Sequence, residues 1–307
     1  MIAIGVQTWS TDVRALARYW RAADALGYAR ITYGDGLFGF THDGFTLLGA
    51  LAVLTGRARI GPAVTYAFDR AAHHPAWLAK RAVAVDHLSG GRLDLRLGVG
   101  AGDAATAAGW TCHGIEYPGA RTRLVRLEAA IGIVRALWRG EAVDHDGAFG
   151  PLRGARLAPP PVQRPGPPVW VSAMGPAALA LAARLADGWE ASYVAPEPLA
   201  ARCHALDALL DGYGRAPGDV RRSVEVDVVL GRTPRAAAAA LARFRATRGI
   251  GAEHPLLGSV LAGPPEAVVE RIAAYAKAGA TDLMLGFADF PETAMLETFA
   301  ARVLPWV

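Results

Sequence analysis

Eight times along this chain a short apolar run of strand length gives way to a stretch of helical period, and that rhythm limits the fold more than any other feature. The strand-like runs are 2–9, 28–33, 58–65, 92–99, 169–172, 188–193, 223–230 and 281–287. Helical patterns follow at 12–26, 44–55, 75–88, 121–138, 176–186, 196–213, 233–247 with 264–279, and 291–303. Strands separated by helices pair in parallel, and right-handed crossovers leave few topologies open. Eight such units close into a single (β/α)8 TIM barrel, for which 307 residues is an ordinary length. The expected organisation is one domain over 1–307, with insertions after strand four (100–119) and before strand five (140–168).

A doubly wound open sheet is the alternative, and the stretch 88–103, "LSGGRLDLRLGVGAGD", tests it. Gly98, Gly100 and Gly102 are spaced G-x-G-x-G, whereas a dinucleotide fingerprint needs G-x-G-x-x-G opening a long helix. In a barrel these glycines fall at the carboxyl end of strand four, where active sites sit. Bare backbone there lets a flat ligand approach closely; a tapering interior that needs small side chains would explain them equally. Residues 100–119 read as a long loop, and 140–168 as a possible hairpin followed by a proline-rich excursion. Loops of such length in a compact domain are commonly lids or insertions with a function. A substrate pocket built from 36–43, 66–73, 103–119 and 140–168 is the expectation.

Composition narrows the function classes. Hydrophobic residues make up 52% and charged residues 20%, enough for a large core and contrary to disorder. The net charge of +4 comes mostly from arginines scattered among helices, not gathered on one face as a nucleic-acid binder would have them. Two cysteines without a C-x-x-C pair argue against a disulfide framework and a cysteine zinc site. The histidines lack H-E-x-x-H or similar spacing, so no metal is expected and a metal-dependent hydrolase fits poorly. The first residues lack a signal-peptide pattern, and the alanine-rich segments are broken by Arg, Asp or Pro before membrane-spanning length. A cytoplasmic protein is expected.

Several segments, in order, resemble the bacterial luciferase-like family of flavin- and deazaflavin-dependent oxidoreductases. They are "ADALGYARITYGDGLF" (23–38), "HHPAWLAKRAVAVDHLSGGRLDLRLGVGAG" (73–102), "GARTRLVRLEAAIGIVRALWRGEAV" (119–143), "PPPVQRPGPPVWVSAMGPAALALAARLADGWEAS" (159–192) and "GPPEAVVERIAAYAKAGATDLMLG" (263–286). The resemblance implies a barrel with reduced coenzyme F420, or alternatively FMN, lying across the strand ends. It further implies hydride transfer to, or oxygenation of, a small organic substrate, and a homodimer. A barrel that binds flavin without catalysis is the alternative of another class.

The resemblance assigns roles residue by residue. Ala173, Met174 and Gly175 match the turn that holds the cofactor phosphate, and Pro176 is well placed to open a helix whose amides favour an anion. Ala63 and Val64 match the position where backbone meets the ring system, with a cis peptide in some relatives. Gly100 and Thr106 complete the implied cofactor set. At the end of strand two the family commonly has Asp-His, whereas here Asp35 is followed by Gly36, which cannot move a proton. Asp35 is therefore both a cofactor and a catalytic candidate. Asp103 matches a catalytic Glu of some deazaflavin relatives and would act as a general acid if partly buried with a raised pKa. His73 and His74 precede Pro75 and are candidates for catalysis or substrate contact, or for capping the following helix. Trp9, Phe38, Phe40, Tyr66, Trp110 and Tyr193 are candidate pocket walls, and Glu128 and Asp187 read as structural.

Overall fold

The computed structural model describes residues 2–37, 39–70 and 73–307. In chain order the elements begin β1 (Ala3–Thr8), α1 (Val13–Ala25), β2 (Arg30–Tyr33), α2 (Gly44–Leu54), β3 (Arg59–Pro62), β4 (Thr65–Tyr66), α3 (Pro75–Leu88) and β5 (Leu95–Gly98). Next come α4 (Ala104–Thr111), α5 (Ala120–Trp138), β6 (Val143–His145), β7 (Leu152–Ala155), β8 (Val169–Ser172), α6 (Pro176–Leu185), β9 (Gly188–Ser192) and α7 (Pro196–Gly212). The chain ends with β10 (Arg221–Leu230), α8 (Pro234–Arg248), β11 (Leu261–Gly263), α9 (Pro265–Lys277), β12 (Asp282–Phe287) and α10 (Ala294–Arg302). All eight expected strands are present.

Two compact units emerge. The first comprises Met1–Thr8, Asp12–Ile31 and Glu190–Val307, and the second Trp9–Thr11 and Thr32–Trp189. β2 and β9 each contribute residues to both.

In the first unit β1 runs parallel to β12, from Ala3↔Asp282 to Val6↔Leu285, and β12 runs parallel to β10, from Ser223↔Asp282 to Val228↔Phe287. Alternation explains the strands. Val224, Val226 and Val228 put one fully buried face on β10, while Ser223, Glu225 and Asp227 line the other. Asp282 opens β12 as a buried acid and is satisfied by Arg30, Arg221 and the Thr281 hydroxyl. Removing those partners would leave an uncompensated buried charge, which is strongly destabilising. α1 starts where the Asp12 side chain accepts from the Ala15 amide at 2.9 Å. α8 ends at Gly249, whose φ of 64° is the left-handed cap that glycine tolerates.

In the second unit β5 lies parallel to β8 and β4, with the register Leu95↔Val169 and Thr65↔Leu97. Leu95, Leu97, Val169 and Val171 are buried, as are Leu78, Leu127, Ile131 and Trp138 from α3 and α5, which pack together. Arg92 gathers the carbonyls of Ala52, Thr55 and Ala58, which fixes the approach to β5. β6 and β7 pair antiparallel as a separate hairpin, which the sequence signalled.

Three expectations are corrected. The third strand is broken into β3 and β4 at Ala63–Val64. The supposed loop 100–119 contains α4, eight residues long. A further strand, β11, pairs parallel to β10 between α8 and α9.

Candidate functional site

The expected cofactor and catalytic residues all belong to the second unit. Asp35, just past β2, is buried although it is a carboxylate. The Thr65 hydroxyl donates to its Oδ2 at 2.6 Å, and His73 Nε2 lies 3.4 Å from the same oxygen. A Cβ on Gly44 would come within 2.5 Å of Asp35, so α2 must open with glycine. Burial pushes the Asp35 carboxyl up, but the hydrogen bond and charge of His73, with the Thr65 hydroxyl and the Gly44 amide, hold it below its ordinary value. His73 is itself buried, with Nδ1 3.7 Å from Asp69 Oδ2 and without a hydrogen bond. The imidazole thus sits between two carboxylates.

His74 does different work. Its Nδ1 accepts from the Ala76 amide at 3.3 Å, and its Nε2 lies 3.3 Å from the Phe149 carbonyl, so it caps α3 and holds the hairpin turn. That is the capping role, one of the two readings expected for His74.

The Ala63–Val64 peptide is cis, which the sequence did not indicate. Val64 then packs where a Cβ on Gly98 would stand. Gly100 has φ 85°, and a Cβ there would lie 2.5 Å from the Tyr117 hydroxyl and 3.4 Å from Phe68. Arg123 draws in the carbonyls of Val99 and Ala101 at 2.9 and 3.0 Å while its guanidinium covers the Tyr117 ring at 4.4 Å. So Gly98 and Gly100 are bare to admit the protein's own side chains. Of these three glycines, Gly102 alone would let an added Cβ meet open space.

Asp103 is exposed and forms the N-cap of α4. Its Oδ1 accepts from the Thr106 amide and its Oδ2 from the Thr106 hydroxyl, both at 2.8 Å. These bonds hold its carboxyl below the ordinary value, opposite in sign to what a general acid needs. The expectation of a buried, raised-pKa acid at Asp103 is therefore corrected, and Thr106 serves that cap.

Past β8 the chain turns through Ala173, Met174 and Gly175 into α6. The Ala173 carbonyl accepts from Trp189 Nε1 at 2.8 Å, Met174 is 43% exposed, and Gly175 is an N-cap without a side-chain bond. A Cβ on Gly175 would meet nothing within 4 Å. Open space before uncapped first-turn amides suits an anionic group such as phosphate.

Among the aromatic residues, Trp9 covers Gly34 where a side chain would otherwise stand, and Tyr66, Phe68, Trp110 and Tyr117 form a cluster with centroids 4.9–5.8 Å apart, edge-to-face except for the tilted Tyr66–Phe68 pair. Phe40 is exposed, and Phe38 and residues 71–72 lie outside the described residues. The insertion 140–168 divides. Its hairpin turn meets His74, whereas Lys80 and His87 reach the carbonyls of Ala158 and Pro160, and Gln163 binds Asp86 and the Leu93 carbonyl. The proline-rich part is thus fastened to α3 and the start of β5. Asp187 and Glu128 are structural as expected. Asp187 accepts from the Val169 amide and pairs with Arg135, and Glu128 pairs with Arg184.

Sequence reasoning missed a buried polar group in the first unit. Glu225 and Asp227 alternate with valines on β10, and that alternation in "VEVDVV" was the available signal. Burial and then the Glu190 carboxylate raise Glu225 to about 7. Burial raises Asp227 to about 6 against the pull of Arg248. Tyr193, with φ 54°, has its phenol pushed up by burial and by these acids. Among the described residues no three His, Cys, Asp or Glu side chains are arranged to hold a metal, and no helix is long and apolar enough to cross a membrane.

Similarity to known proteins agrees with this geometry. The chain is 29% identical over 311 residues to the F420-dependent glucose-6-phosphate dehydrogenase of Microbacterium testaceum, covering 92% of this chain and 90% of that protein. Its fold is that of the coenzyme F420-dependent tetrahydromethanopterin reductase of Methanopyrus kandleri, with a TM-score of 0.82 at 18% identity over 99% of both chains. A monooxygenase from Streptomyces bottropensis matches with a TM-score of 0.81 at 23% identity, again over 99% of both chains. The barrel expected from eight strand–helix units is thus the fold of the solved relatives. Residues 3–282 match the luciferase-like monooxygenase family, and the chain belongs to that family.

Proposed function

We propose that this protein is an oxidoreductase that uses reduced coenzyme F420, with FMN as the alternative, to act on a small organic substrate. The observation that carries the reading is the near full-length similarity to an F420-dependent dehydrogenase, joined to a helix start that suits the phosphate both cofactors carry. The cofactor, when bound, supplies the reducing equivalent. The turn Ala173–Gly175 and the first amides of α6 behind it would hold its phosphate. Ala63 and Val64 would form a wall against its ring, and Asp35 and Gly100 border the same strand ends.

The protein's own contribution is to hold charge and a proton. Asp35 is kept ionised, and His73 Nε2 faces its Oδ2 at 3.4 Å. This pair takes the place of the imidazole that Gly36 lacks, which favours a catalyst over the flavin-binding barrel without turnover. We further propose that residues 1–307 act as one barrel domain, in the cytoplasm, as a homodimer. Neither nucleic acid nor membrane is among the proposed partners. Sedimentation of the purified protein at the mass of one chain would exclude the dimer.

Titration with each reduced cofactor tests the reading. Tighter binding of reduced F420 is expected, and tighter binding of reduced FMN would reverse the preference. Absence of turnover on a panel of aldehydes, ketones, imines and alkenes with both cofactors would leave the non-catalytic barrel.

A further inference from the structure

A cavity opens at the amino ends of the strands in the first unit. Its volume is about 360 Å³, within the size range of small-molecule sites. Ile2 and Ile4 line it from the start of β1, Ala29 from the residue before β2, and Leu304 and Val307 from the chain after α10. Arg221, the first residue of β10, is the one charged side chain among the lining residues. Barrel enzymes work at the carboxyl ends of their strands, so the proposed reaction makes no use of this cavity.

Arg221 is held along one edge. Its Nε donates to Asp282 Oδ2 at 2.9 Å, and its Nη2 lies 2.8 Å from the same oxygen. A longer contact of 3.5 Å joins Nη2 to the Thr281 carbonyl. Nη1 has no partner among the described residues, and the side chain is 46% exposed. Asp282 also accepts from Arg30 and the Thr281 hydroxyl, so one carboxylate divides its charge between two guanidinium groups. A guanidinium does not shed its proton. Arg221 therefore brings a fixed positive charge and two unused N–H donors to an otherwise apolar wall.

These features select the ligand. Apolar walls favour a hydrocarbon chain, and a charge-assisted hydrogen bond favours an anion at its end. A phosphate dianion calls for more donors than Nη1 supplies, and a neutral chain gains nothing from the charge. We propose that this cavity binds a small aliphatic monocarboxylate, whose carboxylate accepts from Arg221 Nη1 while its chain lies against Ile2, Ile4, Leu304 and Val307. Asp282 fixes Nε and Nη2 and so leaves Nη1 to the ligand. The site stands independently of the oxidoreductase reading. Occupancy stabilises the folded chain, because the unfolded chain has no such cavity.

The test compares hexanoate, 1-hexanol and acetate by isothermal titration calorimetry at pH 7, with the full chain and without cofactor. Hexanoate is expected to bind at least about tenfold more tightly than the alcohol, through the charge-assisted bond, and than acetate, through its chain. Arg221→Gln should remove the preference for hexanoate over the alcohol. That change also takes a partner from buried Asp282, so a second variant leaves Arg221 in place. Ala29 is exposed, and Ala29→Leu extends into the cavity without disturbing the core. Hexanoate affinity should fall about tenfold in this variant. Equal affinities of the wild type for hexanoate and 1-hexanol, a preference that survives Arg221→Gln, or undiminished hexanoate binding by Ala29→Leu would each overturn the site. A failure of the cofactor reading appears in the F420 and FMN titrations and leaves these measurements unaffected.

Discussion

His73 Nε2 lies 3.4 Å from Asp35 Oδ2, with both side chains buried, and the pair links the end of β2 to the start of α3. Asp35 keeps its charge in a place where burial alone would remove it, because His73, Thr65 and the Gly44 amide all favour the carboxylate. The chain thus keeps an acid–imidazole pair although Gly36 follows the aspartate.

The sign of the pH effect follows from that pair. The folded carboxyl titrates below its ordinary value of 3.8, so the unfolded chain binds the proton more readily. Asp35 therefore contributes stability that is fully present above about pH 4 and lost as the pH falls through the folded value. Urea unfolding of wild type and Asp35→Asn should show a gap at pH 6 that narrows at pH 3. A gap independent of pH would mean that Asp35 stabilises by shape and not by charge.

Glu225 should behave in the opposite sense. Its folded value is raised from 4.5 to about 7, chiefly by burial and then by Glu190. The folded protein holds the proton more tightly, so this group's contribution to stability falls as the pH rises from about 4.5 to 7 and stays lower above. Glu225→Gln removes the titration, and the variant should gain on the wild type through that window by up to about 3 kcal/mol. Melting temperatures at pH 5 and pH 8 decide it, and a difference unchanged between them counts against a raised carboxyl.

The glycines after β5 should separate by stability. Gly98→Val sets its side chain against Val64 and Tyr66, and overpacking of that kind costs about 1–3 kcal/mol. Gly100→Ala meets the Tyr117 hydroxyl and a positive φ, with a penalty of about the same size. Gly102→Ala has open space and should stay within about 0.5 kcal/mol of wild type. Denaturant midpoints of the three variants give the order directly.

Asp103→Asn separates a cap from an acid. A general acid contributes about 10²–10⁴-fold, so its loss would be plain in kcat. Because Asp103 is exposed, ionised and bonded to Thr106, turnover of the variant should stay within about threefold of wild type, far from that range. A hundredfold fall in kcat with an unchanged KM would restore Asp103 to the reaction.

Much of this was legible in the sequence, and the omissions have physical causes. The eight strands stand out because buried parallel strands are nearly continuous apolar runs, as in "VWVS" and "DLMLGF". α4 was missed because Gly102 precedes a short alanine-rich helix that Gly109 interrupts, although Asp103 three residues before Thr106 is an N-cap signal. β11 has three residues and no periodicity to detect. The bare faces of Gly98 and Gly100 were readable as a need for space, but their occupants, Val64 and Tyr117, are long-range neighbours that local pattern does not specify.

Gly175→Asp tests the phosphate cradle by setting stability against binding. An aspartate at an N-cap accepts from the first-turn amides and complements the helix dipole, and the space around Gly175 admits its side chain. The variant should therefore be as stable as wild type or more so. The same carboxylate occupies the amides that would bind phosphate and repels its charge, so affinity for reduced F420 should fall by about tenfold or more. Gly175→Ala offers neither an acceptor nor a charge and should bind nearly as the wild type does. Raised stability with unchanged F420 affinity in Gly175→Asp would mean that the phosphate sits elsewhere, and the α6 start would then be an ordinary helix terminus.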